Sequence, residues 1–142
     1  MSDADSRKVL VIPCSGIGKA FGSIGREATY VVTEEMRPED TETLCLSLLT
    51  LGDEQAMDRV RRHPVITIDG CPKACAEVNV KSAGGRSAAN LKVVDTYREH
   101  PDLKVPAVLD LGEPGRKLAA FLAEKVVAEV DALKDKEDEA DG

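Results

Sequence analysis

Two short runs constrain this chain more than anything else in it. Lys8-Val9-Leu10-Val11-Ile12-Pro13 and Val65-Ile66-Thr67-Ile68-Asp69 are almost unbroken aliphatic and β-branched stretches. That is the pattern of strands covered on both faces in a parallel sheet. Each ends in a small-residue turn that holds a cysteine: Cys14-Ser15-Gly16-Ile17-Gly18 after the first and Gly70-Cys71-Pro72 after the second.

Elsewhere the apolar spacing becomes helical. Phe21, Ile24, Ala28 and Val31 or Val32 fall on one side of a helix that reaches roughly Tyr30 to Glu35. A second helix is expected from Asp40 or Thr41 through Leu44, Cys45, Leu48, Leu49 and Leu51, stopped by Gly52. Asp53 caps a third, Glu54 to about Arg62, which His63-Pro64 ends. Pro72 opens a fourth, running to about Val80, because proline suits a first helical position. Leu91 to Thr96 reads as a third strand and Val105 to Leu109 as a short edge strand. Arg116 to about Lys134 is a long amphipathic helix with Leu118, Phe121, Leu122, Val126, Val130 and Leu133 inward. This alternation predicts a single α/β domain, a doubly wound and mostly parallel sheet flanked by helices. Residues 1–7 are expected to be disordered, 8–134 to form the domain, and 135–142 to be an acidic C-terminal tail that frays.

A chain of 142 residues buries roughly 68–70% of its unfolded surface. Its core therefore needs no metal or disulfide in order to form. With 19 Lys+Arg against 26 Asp+Glu and 3% aromatic residues, the chain lacks the basic face and stacking platforms of a nucleic-acid binder. No apolar run approaches the ~18–20 residues that cross a bilayer, and no secretory signal precedes the first strand. The expectation is a cytoplasmic protein with neither nucleic acid nor membrane as partner; a protein partner or a second copy of the chain stays open. In a reducing compartment, four cysteines point to metal binding, redox chemistry or plain burial.

Cys14 and Cys71 stand at the carboxyl ends of the two long strands, where open α/β sheets gather their ligands. Cys75 is expected one helical turn beyond Cys71, on the same helix face. Cys45, on the intervening helix, can either turn toward that rim or lie buried as a small apolar residue among Leu44, Leu46, Leu48 and Leu49. Zinc holds thiolates at about 2.3 Å, and four thiolates around a divalent ion leave a net charge of about −2. Lys19, Lys73 and the helix starts at Gly16-Ile17-Gly18 and Pro72 are candidates to offset that charge. Asp69 either orients a ligand or caps the following helix.

The stretch Ile68-Asp69-Gly70-Cys71-Pro72-Lys73-Ala74-Cys75, together with Cys14-Ser15-Gly16-Ile17-Gly18 and Thr43-Leu44-Cys45, resembles the DGC-domain proteins. These are small prokaryotic proteins named for an Asp-Gly-Cys motif, and the resemblance spans roughly residues 8 to 125. It implies zinc binding, with Cys14, Cys45, Cys71 and Cys75 as the metal ligands, and no departure in this chain removes one of them. It implies no reaction.

Other chemistries compete. Four thiolates also hold iron–sulfur clusters, and a thiol-redox role uses the same residues. Should Cys45 be buried, three thiolates and an open position would suit a zinc-thiolate enzyme with a reactive cysteine. Gly16, Gly18 and Gly22 are spaced GxGxxxG rather than as a dinucleotide turn, and no acidic residue closes a second strand about 20 residues on. A cysteine phosphatase needs an arginine six residues after its nucleophile; after Cys14 that position is Ala20, and the nearest arginine is Arg26. His63 and His100, each before a proline, read as surface loop residues. No catalytic residue is assigned.

Overall fold

The computed structural model describes residues 8–14, 20–70, 74–104 and 111–141. The first apolar run forms β1 (Val9–Pro13) and the second forms β3 (Val65–Asp69). They pair in parallel, from Leu10 opposite Val65 to Pro13 opposite Ile68. A two-residue strand, β2 (Thr41–Glu42), adds to the other side of β1, and β4 (Ser87–Lys92) adds to the far side of β3. These described strands make one all-parallel sheet in the order β2-β1-β3-β4. β1 and β3 are central, which is why their sequences are apolar on both faces.

Side-chain alternation sorts that apolar content into two cores. Val9, Val11, Ile66 and Ile68 face α1 (Ala20–Tyr30), α5 (Val93–Glu99) and α6 (Gly112–Asp141), meeting Ile24, Ala28, Val93, Leu122 and Val126. Leu10, Ile12 and Val65 face α2 (Leu46–Thr50), α3 (Glu54–Arg62) and α4 (Cys75–Ser82), meeting Leu46, Leu49, Val60, Ala76 and Val80. Helices cover both faces, so the sheet is doubly wound in a single α/β domain. From β1 the chain steps outward to β2 and then crosses to β3 on the opposite side. The carboxyl ends of β1 and β3 thereby flank a topological switch point, the place where such sheets open a crevice. Among the described residues, no helix is long and apolar enough to cross a membrane.

Several elements differ from the sequence expectation. No helix starts at Asp40 or Thr41. The Thr41 hydroxyl donates to the Arg37 carbonyl at 2.7 Å, so it caps no helix, and Thr41 pairs with Val9 in β2. The helix begins only at Leu46, which leaves Cys45 before it in extended backbone. The third expected strand is shifted: β4 is the small, polar Ser87–Lys92, and Val93 to Glu99 is helical, with Val93 and Thr96 buried at helical spacing. His63 is buried rather than on the surface, its Nδ1 lying 3.1 Å from the Lys8 carbonyl. His100 stacks on Phe121, with ring centroids 4.0 Å apart. α6 starts earlier than expected, and its backbone is helical to Asp141. The expected edge strand Val105–Leu109 and the N-terminal residues 1–7 lie outside the described residues. The third helix, Glu54–Arg62 capped by the Asp53 carboxylate on the Ala56 amide, is as read from the sequence.

α1 runs on into a π-helical turn, Val31–Met36. Beyond it, Arg37 reaches α6: its Nε and Nη2 donate to the two carboxylate oxygens of Asp131, both at 3.0 Å. The hydrogen bond from Arg37 holds the Asp131 carboxyl below its ordinary value. A depressed carboxylate pKa contributes stability above the unfolded-state pKa, and that contribution is lost as pH falls through the lower folded-state value. Both side chains are partly exposed, so the contribution is small. Asp131→Asn should lower the melting temperature slightly at neutral pH, and the deficit should vanish in acid. Thermal melts between about pH 2 and 7 check this; a deficit that persists at the acid end contradicts the pairing.

Candidate metal centre

Cys14 directly follows β1 and extends the parallel ladder by one step, its amide donating to the Ile68 carbonyl at 2.8 Å. Its side chain is buried, 6% exposed, on the α2–α4 side of the sheet. The Gly70 amide donates to the Cys14 sulfur at 3.2 Å across the gap between β1 and β3. Glycine lets this turn sit close against α1. A Cβ on Gly70 would lie 3.0 Å from the Gly22 nitrogen and 3.1 Å from the Phe21 carbonyl carbon, both backbone atoms at the start of α1.

Cys45 arrives from the other flank. β2 leads through Thr43 and Leu44 to Cys45, whose backbone is extended (φ −75°, ψ 125°) just before α2. Its side chain is exposed, so it is not the buried apolar residue that its leucine neighbours allowed. The Ser47 hydroxyl lies 2.8 Å from its sulfur, and this hydrogen bond holds the Cys45 thiol below its ordinary pKa. Cys14 and Cys45 line one cavity of about 280 Å³, together with Arg26, Tyr30 and Thr43.

Cys75 is the first residue of α4 and is exposed. The helix does not begin at Pro72. Ala74, just before it, sits in the left-handed region at φ 52°, and the expected place of Cys71 on that helix lies outside the described residues. A non-glycine residue there carries about 1–2 kcal/mol of backbone strain, which the start of α4 must over-determine. Asp69 does so. Fully buried at the end of β3, its carboxylate accepts from the Ala76 amide at 2.7 Å, the Glu77 amide at 3.3 Å and Asn90 Nδ2 at 2.9 Å. Of the two roles considered for Asp69, capping the following helix is the one it performs. Asn90 also donates to the Thr67 hydroxyl at 2.7 Å, tying the cap into the β3–β4 pair.

Cys14, Cys45 and Cys75 carry thiols rather than disulfides. Cys71, and with it Lys19, Lys73, Pro72 and the Gly16-Ile17-Gly18 turn, lies outside the described residues. Among the described residues, no group of three His, Cys, Asp or Glu side chains is close enough to hold a metal ion. The test of fit therefore rests on the pair that the fold does assemble. Two soft sulfur donors share one cavity, one with an amide aimed at its sulfur and the other with a lowered pKa. That donor set suits zinc or another thiophilic metal rather than a hard cation.

Arg26 was missed as part of this site. Counted along the chain from Cys14 it stands too far away for a phosphate-type loop, and only the packing of α1 beside β1 carries it to the cavity. Gly22, Arg26 and Tyr30 recur every four residues on α1, the spacing of one helix face. That periodicity was the available signal.

The class is thus a doubly wound α/β domain with thiols at its switch point. The family model for the DGC domain matches residues 10–108, and this chain belongs to that family. Neither the comparison with curated proteins nor that with solved structures found a match.

Asp69→Asn tests the cap. An amide at this position turns a donor toward the Asn90 and Glu77 donors and leaves buried groups unpaired. We expect a loss of about 1–3 kcal/mol in urea unfolding. An unchanged midpoint contradicts this role.

Proposed function

We propose that this chain is a small cytoplasmic metal-binding protein that holds one zinc ion through the thiolates of Cys14, Cys45, Cys71 and Cys75 at the carboxyl-terminal rim of the sheet. The observation that carries this reading is that Cys14 and Cys45, remote in sequence and on different elements, line one cavity beside the carboxyl end of β1. The family match, residues 10–108, spans all four of these cysteines. Asp69 caps the helix that Cys75 opens, so one buried carboxylate governs where that thiol stands. When bound, zinc would supply a fixed cross-link between the β1, β2–α2 and β3–α4 segments. An all-thiolate shell is the closed, structural kind rather than the kind that leaves a position for a substrate.

Both cores are built mainly from aliphatic side chains, with Cys14 the one rim thiol among them. Zinc therefore locks the rim loops more than it drives folding. Chelation should leave the helical circular-dichroism signal largely intact while raising amide exchange near Cys14 and Gly70. Collapse of the helical signal on chelation contradicts this division.

The direct test is metal analysis of protein purified without oxygen, as wild type and as Cys45→Ser. The expected result is one zinc per chain in the wild type and an affinity at least about tenfold lower in the variant. Iron with acid-labile sulfide, or no metal at all, overturns the reading. Zinc held equally well by the variant removes Cys45 from the ligand set.

A further inference from the structure

Asp69 and Gly70 are neighbours in sequence, yet each serves a different thiol. The Gly70 amide donates to the Cys14 sulfur at 3.2 Å, joining the end of β3 to the residue that follows β1. The Asp69 carboxylate accepts from the Ala76 and Glu77 amides at 2.7 and 3.3 Å, at the start of the helix that Cys75 opens.

That cap is not the local kind. α3 is capped by the exposed Asp53, three residues before the amide it binds. The position before α4 is Ala74, whose methyl group cannot cap and whose backbone is left-handed at φ 52°. The cap comes instead from a fully buried carboxylate at the end of β3, seven residues before Ala76. Burying a carboxylate is costly unless its acceptors are matched. Asn90 Nδ2 supplies a further donor at 2.9 Å and also donates to the Thr67 hydroxyl, which lies 3.1 Å from that of Ser87. A local cap of the Asp53 type would steady α4 with neither a buried carboxylate nor a left-handed alanine. It would not tie Cys75 to the strand whose next residue holds Cys14. Strained backbone of this sort collects where a site requires it.

We infer that Asp69 and Gly70 are positioning residues of the metal centre: the Gly70 amide holds the Cys14 sulfur, the Asp69 carboxylate holds the backbone at Cys75, and neither is a ligand. The inference rests on the zinc reading above and adds the groups that decide how tightly this chain holds the ion. Groups that orient ligands in this way typically govern affinity by about 10–100-fold.

Zinc affinities, measured by competition with a chromophoric chelator on anaerobic full-length protein, test it as double-mutant cycles. Asp69→Asn should weaken zinc binding at least about tenfold in the otherwise unaltered chain, and less than about threefold in the Cys75→Ser background. Gly70→Ala should show the same coupling to Cys14→Ser. A merely destabilised chain would lose affinity by the same factor in either background. Asp53→Ala is the control for lost stability: it removes the α3 cap and should leave zinc affinity within about twofold of the wild type.

Equal losses in the two backgrounds, unchanged affinity in Asp69→Asn, or a loss as large with Asp53→Ala overturns the inference while the zinc reading stands. A wild type that binds no zinc overturns both. Should Asp69→Asn fail to fold, Asn90→Ala takes its place: it removes a donor to the carboxylate and should lower affinity at least about threefold while Cys75 is present. Affinity unmoved by Asn90→Ala then overturns the inference. If Cys75→Ser holds no measurable zinc, the comparison of Asp69→Asn with Asp53→Ala decides.

Discussion

The parallel pairing of β1 with β3 is the constraint on which the rim depends. It continues one step past β1, through the Cys14 amide and the Ile68 carbonyl, and that step sets the Cys14 sulfur beside the Gly70 amide. A slip of one residue would turn Val9 and Val11 out of one core and Leu10 and Ile12 out of the other. Both cores therefore guard the register, and the register places the thiol. Gly70 completes the arrangement from the other strand, since any side chain there would press on the backbone at the start of α1.

Around that pairing the rim combines groups with opposing demands. Asp69 is fully buried, yet it faces two backbone amides and an asparagine amide, so its acceptors are matched and it holds the start of α4. The left-handed Ala74 between the last two cysteines is tolerated because the helix beyond it is pinned by that carboxylate. On the opposite flank, Cys45 leaves the leucine-rich face of α2 and enters the cavity with Arg26.

The legible parts of the fold were those whose signal is local. β1 and β3 are apolar on both faces because they are central, and α3 carries its own cap at Asp53 and its own stop at His63-Pro64. β4 and β2 escaped notice because they carry little apolar content. Ser87–Lys92 is held by Asn90 and Thr67 side chains as much as by its ladder, and β2 is two residues long. The leucine run around Cys45 fits a helix by periodicity, but Thr41 is engaged by the Arg37 carbonyl and delays the helix until Leu46. Of the site, the strand-end position of Cys14 followed from topology alone. Arg26 did not, because its approach to Cys14 depends on how α1 packs on the sheet, which no spacing in the chain records.

The central claim is that sulfur atoms gathered at the switch point hold a single zinc ion. X-ray absorption at the zinc edge on anaerobically purified protein measures that most directly. The account predicts a first shell of four sulfur scatterers at about 2.3 Å. A shell dominated by nitrogen or oxygen, or a sample without zinc, would contradict it.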